Sequence, residues 1–231
     1  MKKHRGLATV LGLAAGAIVA REAVKAYTKA RRACPPFHRR VYSDERQLID
    51  AFTEIWKNPQ RLASLRRNPM VTRDLAEKLM LTVTGVNGCR YCTYLHSWYG
   101  ARQGLSEREV SSLLSGEVEH ARVEEAPALF FAQQYAEKAG QPDDDLVHRL
   151  VDEYGLETAR DLVTLIRIMT IGNLVGNTFD ALVSRCLGQP AADSTVRSEL
   201  MVLGMFCVGI APLTPVLTLR AALLGGGAGT D

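Results

Sequence analysis

The 231-residue sequence has little net charge, few cysteines and an ordinary share of charged residues. A formal net charge of +3 is too small for a strongly basic nucleic-acid-binding domain, so no nucleic acid is expected as a partner. With 47% apolar and 23% charged residues, intrinsic disorder of the whole chain is excluded. Five cysteines, an odd number in a chain of this length, argue against a secreted disulfide framework. The composition therefore indicates a globular protein with one sizeable core.

Acidic residues are nearly absent from the first 40 residues. This segment holds ten lysines and arginines and one acid, Glu22, giving a charge of +9. The other 191 residues carry 18 basic and 24 acidic side chains, a charge of −6. The sequence thus joins a basic amino-terminal segment, 1–40, to a mildly acidic body.

Strand-like alternation of apolar and polar residues is missing between residues 41 and 190. The apolar residues there recur at helical spacing, which predicts an all-α domain over 41–190, followed by an apolar segment and flexible tail over 191–231. Short connections between the helices favour a helical bundle. The predicted helices are Thr72–Val86, Cys89–Gly100, a capped helix from Ser106 to Gly116, Glu124–Ala139, Asp143–Tyr154, Glu157–Ile171 and Asn177–Cys186.

The amino-terminal segment has no charge over the 14 residues Leu7–Ala20. This stretch is too short to span a bilayer comfortably, and it continues into a basic helix that Pro35 and Pro36 are expected to end. An apolar stretch joined to basic turns favours contact with an anionic membrane surface. A basic helix without such a role is the alternative.

The carboxyl-terminal segment has no charge over the 20 residues Leu200–Leu219. Its length suits a membrane span, whereas Pro212 and Pro215 favour a helix packed on the body or on another subunit. If either end inserts, the seven basic residues between Arg21 and Arg40 place the body on the cytoplasmic side. The expected location is cytoplasmic, at the cytoplasmic face of the membrane.

Three reactive side chains stand close together in the sequence, at Cys89, Cys92 and His96. Their spacing of i, i+3 and i+7 places them on one face of a helix. At a helix start, unpaired amides and the helix dipole lower thiol pKa values, so both cysteines are expected to be acidic. The two thiols can then form a reversible disulfide, and the histidine can give or take the proton that thiol chemistry requires.

Other interpretations of this group remain open. The same three side chains suit a zinc site, but such a site needs four ligands and the sequence has no second CxxC or HxxxH, so no metal is expected. They can also be inert core residues. The remaining cysteines and histidines form no constellation: Cys186 and Cys207 are expected to be inert core thiols, Cys34 stands alone, and His38, His120 and His148 are expected at the surface.

A longer motif resembles a known family. Glu77 is followed after eleven residues by Cys89-x-x-Cys92-x-x-x-His96, in the setting Val86-Asn87-Gly88-Cys89-Arg90-Tyr91-Cys92 and before Gly104-Leu105-Ser106. This motif is similar to that of the AhpD-like alkylhydroperoxidase branch of the carboxymuconolactone decarboxylase family, over roughly Asn68 to Gly188. The resemblance implies an AhpD-like helical bundle that forms a homo-oligomer, a trimer or hexamer, and a redox dithiol without a further cofactor.

The resemblance also implies a function, that of a thiol-dependent peroxidase, and a role for each matching residue. Cys92 would attack the O–O bond of a small-molecule hydroperoxide, and Cys89 would resolve the sulfenic acid to a disulfide. Glu77 and His96 would relay protons, although Glu77 taken alone suits a solvent-exposed carboxylate at a helix start. The implied reductant is a lipoyl or thioredoxin-like dithiol.

One position departs from the family pattern. Tyr91 stands where the best-studied type has a histidine between its cysteines, and a tyrosine is a poor base at neutral pH. An accessory role for Tyr91 is expected at most, which puts the full proton relay in doubt. The alternatives are a membrane-associated binding or scaffold protein with the family fold, and a carboxymuconolactone decarboxylase-like enzyme. The latter is disfavoured because that branch usually lacks the cysteine pair.

A faint internal repeat accompanies the motif. Leu75–Gly100 and Leu162–Cys186 both consist of an apolar helix, a break at Asn-Gly or Gly-Asn, and a second helix. Val175 takes the place of Cys89 in the second copy, so only the first copy carries the chemistry.

Overall fold

The computed structural model describes residues 2–117 and 121–212, and these residues form helices without any strand. The predicted all-α class is confirmed. The α-helices are α1 Lys2–Ala33, α2 Glu45–Trp56, α3 Gln60–Arg67, α4 Arg73–Asn87, α5 Arg90–Arg102, α6 Glu107–Ser115, α7 Ala126–Glu137, α8 Asp144–Cys186 and α9 Val196–Gly204. A 3₁₀ turn, Val123–Glu125, precedes α7, and a π-helix, Met205–Ile210, follows α9.

Helix α4 lies at the centre of the bundle and packs against α5, α6, α7 and α8. Its apolar residues Leu75, Leu79, Leu81 and Val83 are buried in the main core. Because Leu79 has no exposed surface, truncating it to alanine is expected to cost about 2–5 kcal/mol. The predicted near all-round burial of this helix is confirmed. Helix α4 is therefore held firmly in the core, and the dithiol segment follows directly at its end.

The ends of the central helices are set by local sequence. The Thr72 side chain accepts a hydrogen bond from the Leu75 amide at the start of α4. The predicted capping box between Ser106 and Glu109 starts α6. Gly88 ends α4 at φ 67°, a left-handed conformation that glycine adopts without strain. This turn reverses the chain and sends it directly into α5.

The long helix α8 differs from the prediction of three separate helices. It has one non-helical residue, Gly155 (φ 74°, ψ 158°), where the predicted break is confirmed as a kink. The break predicted at Gly172 and Asn173 is wrong, because the helix continues through it to Cys186. A glycine inside a helix costs only about 1 kcal/mol, and the buried neighbours Ile171 and Leu174 outweigh that cost.

Helix α1 ends at Ala33, before Pro35 and Pro36 as predicted. Among its described side chains, Ile18, Val19 and Val24 are exposed. The helix meets the body near its end, where the Tyr27 hydroxyl donates to the Cys186 carbonyl at 2.8 Å. Side chains of residues 1–15 lie outside the described part, so most of the uncharged stretch is known here only as helical backbone.

The carboxyl-terminal segment packs partly on the body up to residue 212. Val202 is fully buried, and Met205, Phe206 and Ile210 lie against a second, smaller core that joins α2, α8 and α9. Val208 points outward and is 82% exposed. Residues 213–219 of the predicted apolar stretch lie outside the described residues.

Two smaller predictions about cysteines are wrong. Cys186 and Cys207 are exposed rather than buried, because each lies on the outward side of a helix end or π-helix. Cys34 is partly buried. His38 and His148 are exposed as predicted, while His120 lies outside the described residues.

One described helix, α8, is long and apolar enough to cross a membrane by length and composition. Its most apolar window is 56% buried inside the protein, as in the core helix of a globular bundle. This feature therefore carries no argument for a membrane span.

Candidate functional site

The dithiol lies at the turn between α4 and α5. Cys89 is the N-cap of α5 in an extended conformation (φ −75°, ψ 102°), one residue before the position predicted for it. Its sulfur accepts a hydrogen bond from the Cys92 amide at 3.3 Å, in the place where a serine or aspartate oxygen usually caps a helix. The sequence thus places one sulfur at the positive end of the helix and the other one turn further on.

The two sulfurs differ in accessibility. Cys89 has no exposed surface, whereas Cys92 is partly exposed, and both are free thiols. A small reactant from solvent therefore reaches Cys92 first.

The two thiols also differ in acidity. A hydrogen bond from the Cys92 thiol, opposed by burial and assisted by the Cys92 and Tyr91 amides and by His96, lowers the pKa of Cys89 to about 7. The hydrogen bond to Cys89, together with burial, raises the pKa of Cys92. The expected acidic shift thus holds for Cys89 and is wrong for Cys92, because two adjacent thiols share one proton and one negative charge.

His96 and Glu77 are brought together across the turn. The His96 Nδ1 lies 2.9 Å from the Glu77 Oε2, and the side chains are only 14% and 13% exposed. Since a carboxylate accepts hydrogen bonds, Nδ1 carries the proton and Nε2 is left for another partner. The interpretation of Glu77 as a solvent-exposed carboxylate is therefore wrong.

The face of α8 that covers the dithiol was missed by sequence reasoning. A Cβ at Gly176 would lie 2.8 Å from the Cys89 sulfur and 3.8 Å from the Cys92 sulfur. One turn earlier on the same helix lies the fully buried Asn173, whose side chain acts to lower the pKa of Cys92 against the larger effects of Cys89 and burial. The internal repeat aligned the segment of Asn87 with the segment of Asn173, and these two side chains are hydrogen-bonded in the structure. Neither residue was assigned a role from the sequence.

The three comparisons with known proteins gave no relative. No family model, no curated protein and no solved structure matches the chain. The chemical interpretation of the site therefore depends on its own residues and geometry.

The Tyr91 side chain points to a cluster of charged residues and not to a position where it could act as the base of a proton relay. Its hydroxyl donates to the Asp180 carboxylate at 3.2 Å, and its ring packs on Phe179 with 5.7 Å between the ring centroids. Asp180 is 1% exposed and also pairs with Arg39 and Arg90. These contacts fix the two residues between the cysteines against α8, which holds the start of α5 in place.

A cavity of 530 Å³ opens beside the same cluster. Gly88 and Arg90, which flank Cys89 in the chain, lie in its wall with Arg39 and Asp180. Its volume is in the range of pockets that hold small organic molecules.

No metal centre is indicated in the part of the chain that the structure describes. Residues 2–117 and 121–212 contain no group of three or more histidine, cysteine, aspartate or glutamate side chains arranged to hold a metal ion.

Proposed function

We propose that the protein is a thiol-dependent peroxidase that reduces organic hydroperoxides through a Cys89–Cys92 dithiol and disulfide cycle. The observation that carries this proposal is the pairing of an acidic, buried thiol with a partly exposed neighbour beside a hydrogen-bonded His96–Glu77 pair. This arrangement argues against inert core residues, because buried histidines usually hydrogen-bond backbone groups and buried cysteines usually make only apolar contacts.

The accessible sulfur is the nucleophile. In the resting site the negative charge lies on Cys89, and as the hydroperoxide approaches, the Cys92 thiol passes its proton to the Cys89 sulfur, which leaves a thiolate at the partly exposed position. This thiolate attacks the terminal oxygen of the hydroperoxide, the O–O bond breaks, and the alkoxide leaves as an alcohol with a proton that the His96 Nε2 has taken up from solvent. Cys92 becomes a sulfenic acid.

The buried sulfur resolves the intermediate. The Cys89 thiol gives up its proton as it attacks the Cys92 sulfur, a disulfide forms, and the hydroxide leaves with that proton as water. A lipoyl or thioredoxin-like dithiol then supplies the two electrons that return the pair to thiols. Glu77 keeps a proton on the His96 Nδ1, so Nε2 is the atom that takes up and delivers the proton.

The proposal is tested with purified full-length protein, cumene hydroperoxide and dihydrolipoamide. Consumption of the hydroperoxide is expected, and Cys92→Ser is expected to abolish it. Cys207→Ser is the matched control, because Cys207 is exposed on the π-helix away from the dithiol. Full activity of Cys92→Ser would sink the mechanism.

We also propose that α1 holds this domain at the cytoplasmic face of a membrane. The support is the exposure of Ile18, Val19 and Val24 on a helix that continues into a basic segment. Vesicles containing phosphatidylglycerol are expected to co-sediment with the full chain, and phosphatidylcholine vesicles are not. Deletion of residues 2–20 is expected to abolish co-sedimentation; a wholly soluble full-length protein contradicts this location.

We also propose that the protein forms a homo-oligomer through an exposed surface of α5. Helix α5 exposes Tyr94 (79%), Leu95 and Trp98 next to the dithiol, and the Arg102 guanidinium lies 4.7 Å from the Trp98 ring centroid. Contiguous exposed apolar side chains of this kind mark contact surfaces. Light scattering is expected to give a trimer or hexamer, which Tyr94→Ser with Trp98→Ser dissociates.

A further inference from the structure

A chain of hydrogen bonds leads from the basic segment to the face of α8 that covers the dithiol. The Arg40 Nη2 donates to the Asn87 Oδ1 at 2.9 Å. The Asn87 Nδ2 donates to the Asn173 Oδ1 at 3.3 Å, and the Asn173 Nδ2 donates to the Thr84 Oγ1 at 3.2 Å. Asn87, Asn173 and Thr84 are buried, with 4%, 0% and 0% exposure. No step of the proposed peroxidase cycle uses these side chains.

The guanidinium at the end of this chain fixes the direction of both amides. A guanidinium can only donate hydrogen bonds, so the oxygen of the Asn87 amide must face Arg40. Its NH₂ group then faces Asn173, which must present its oxygen to Asn87. The NH₂ group of Asn173 is consequently turned the other way, toward Thr84. The chain has one consistent orientation, and it ends in an amide donor on the face of α8 that covers the dithiol.

The position of α8 brings that donor to the reacting atom. Asn173 and Gly176 are three residues apart on one face of α8, and a Cβ at Gly176 would be 3.8 Å from the Cys92 sulfur. The Asn173 side chain acts to lower the pKa of Cys92, as expected for an amide donor near the sulfur. An amide NH₂ has two donors, so Thr84 and Cys92 can be served together.

We propose that Asn173 is a catalytic residue of the dithiol site, whose amide N–H stabilises the Cys92 thiolate as it attacks the hydroperoxide. Asn87 and Arg40 are positioning residues that hold this amide in the donating orientation. The inference rests on the proposed peroxidase function. The proton that leaves Cys92 passes to Cys89, and the negative charge left on Cys92 accepts the Asn173 hydrogen bond, so charge and protons balance.

Other charged or titratable groups surround the dithiol, and they do not replace this donor. From α4, α5 and their junction come Glu77, His96 and Cys89. From the opposite side comes Asp180, whose carboxylate is paired with Arg39 and Arg90 and bonded by Tyr91. The hydrogen-bond partners of the Asn173 side chain, Asn87 and Thr84, are not among these groups.

The experiment measures the reactivity of Cys92 directly and needs no peroxidase activity. In the full chain carrying Cys89→Ser, the rate of Cys92 alkylation by iodoacetamide is followed from pH 6 to pH 10 by peptide mass. Adding Asn173→Ala is expected to slow alkylation at pH 7.5 roughly tenfold, the effect of one hydrogen bond to a charged group, with the same limiting rate at high pH. Asn173→Asp, which keeps the shape and removes the donor, is expected to slow it further.

A matched control separates this effect from general loosening. Asn68 donates to Asp161 and Thr158 against the same helix and touches neither sulfur, so Asn68→Ala is expected to leave the pH profile unchanged. Arg40→Met is expected to slow alkylation about threefold through the lost orientation, with recovery in Arg40→Lys. If the Asn173 variants do not fold, the comparison of Arg40→Met with Arg40→Lys tests the role of Asn173 instead.

The outcomes distinguish this inference from the proposed function. An unchanged pH profile in the Asn173 variants, or an equal change in Asn68→Ala, overturns the role of Asn173 whatever the peroxidase assay shows. If the Asn173 variants do not fold, an unchanged profile in Arg40→Met overturns it. A shifted profile in a protein without peroxidase activity upholds the hydrogen bond and refutes its catalytic use.

Discussion

The Cys89 sulfur lies against the backbone of Gly176, so closely that a Cβ at position 176 would be 2.8 Å from it. Carbon and sulfur atoms do not approach to that distance without a shift of one of them. Because position 176 is a glycine, the buried Cys89 sulfur has room to cap α5 and to accept the hydrogen bond from Cys92.

Gly176→Ala is expected to disturb the dithiol. The added methyl group has no room, and overpacking of this kind costs about 1–3 kcal/mol. We expect a lower free energy of unfolding by denaturant titration and a slower rate of disulfide formation with peroxide. The control is Gly172→Ala on the same helix, where a Cβ meets nothing within 4 Å and a gain of up to about 1 kcal/mol is expected. Equal behaviour of the two variants contradicts the contact.

The acidity of Cys89 is expected to depend on its neighbour. Thiolate absorbance at 240 nm is expected to rise as the pH increases through about 7, where the pKa of Cys89 lies. The hydrogen bond from Cys92 is the largest cause of this low value, so Cys92→Ala raises the pKa of Cys89 and moves the rise to higher pH. Cys207→Ser should leave the transition near pH 7 in place. A transition that stays there in Cys92→Ala rules out this cause.

Glu77→Gln is expected to slow catalysis without unfolding the protein. The amide can present either its NH₂ or its oxygen to the His96 Nδ1, so the ring loses its fixed tautomer. Loss of such an orienting carboxylate lowers activity by roughly 10–100-fold. The measurement is kcat for hydroperoxide reduction, beside thermal unfolding. Glu107→Gln, at an exposed helix start, is the control with unchanged kcat, and equal rates for both variants would remove Glu77 from the mechanism.

A buried ion pair is expected to govern stability in acid. Burial opposes ionisation of Glu125, but hydrogen bonds from Lys78 and Arg122 outweigh it and lower the pKa of Glu125. A lowered pKa in the folded state gives stabilisation that is complete above the unfolded value of about 4.3 and is lost as the pH falls through the folded value. Glu125→Gln is therefore expected to cost roughly 3 kcal/mol at pH 7 and progressively less below pH 4.

The neighbouring Glu124→Gln is the control for this ion pair. The Glu124 side chain is 65% exposed, so its replacement is expected to change the free energy of unfolding by less than about 1 kcal/mol. Urea titrations at pH 7 and pH 3 give both comparisons. A Glu125→Gln effect that is the same at the two pH values excludes the ionised carboxylate as the source.

Local rules were enough to predict much of the helical framework. Proline at positions 35 and 36, the Ser106–Glu109 capping box and the glycine at 88 act through neighbouring residues, so the sequence predicted the helix ends that the structure has. Where burial opposed a local rule, the prediction was wrong. Gly172 continues a helix because its neighbours are buried, and Cys207 is exposed in an apolar segment because its side of the π-helix has no partner in the described protein.

The sequence by itself determined that Cys92 and His96 share one face of α5, because a spacing of four residues follows from helix geometry alone; Cys89 is the cap just before that helix. Only the tertiary structure decided that Cys89 is the acidic sulfur, that His96 meets Glu77 across a turn, and that Asn173 and Gly176 cover the pair. The covering residues lie more than 80 positions further along the chain. Burial and contacts over that separation depend on how α8 packs against α4 and α5, which no local pattern encodes.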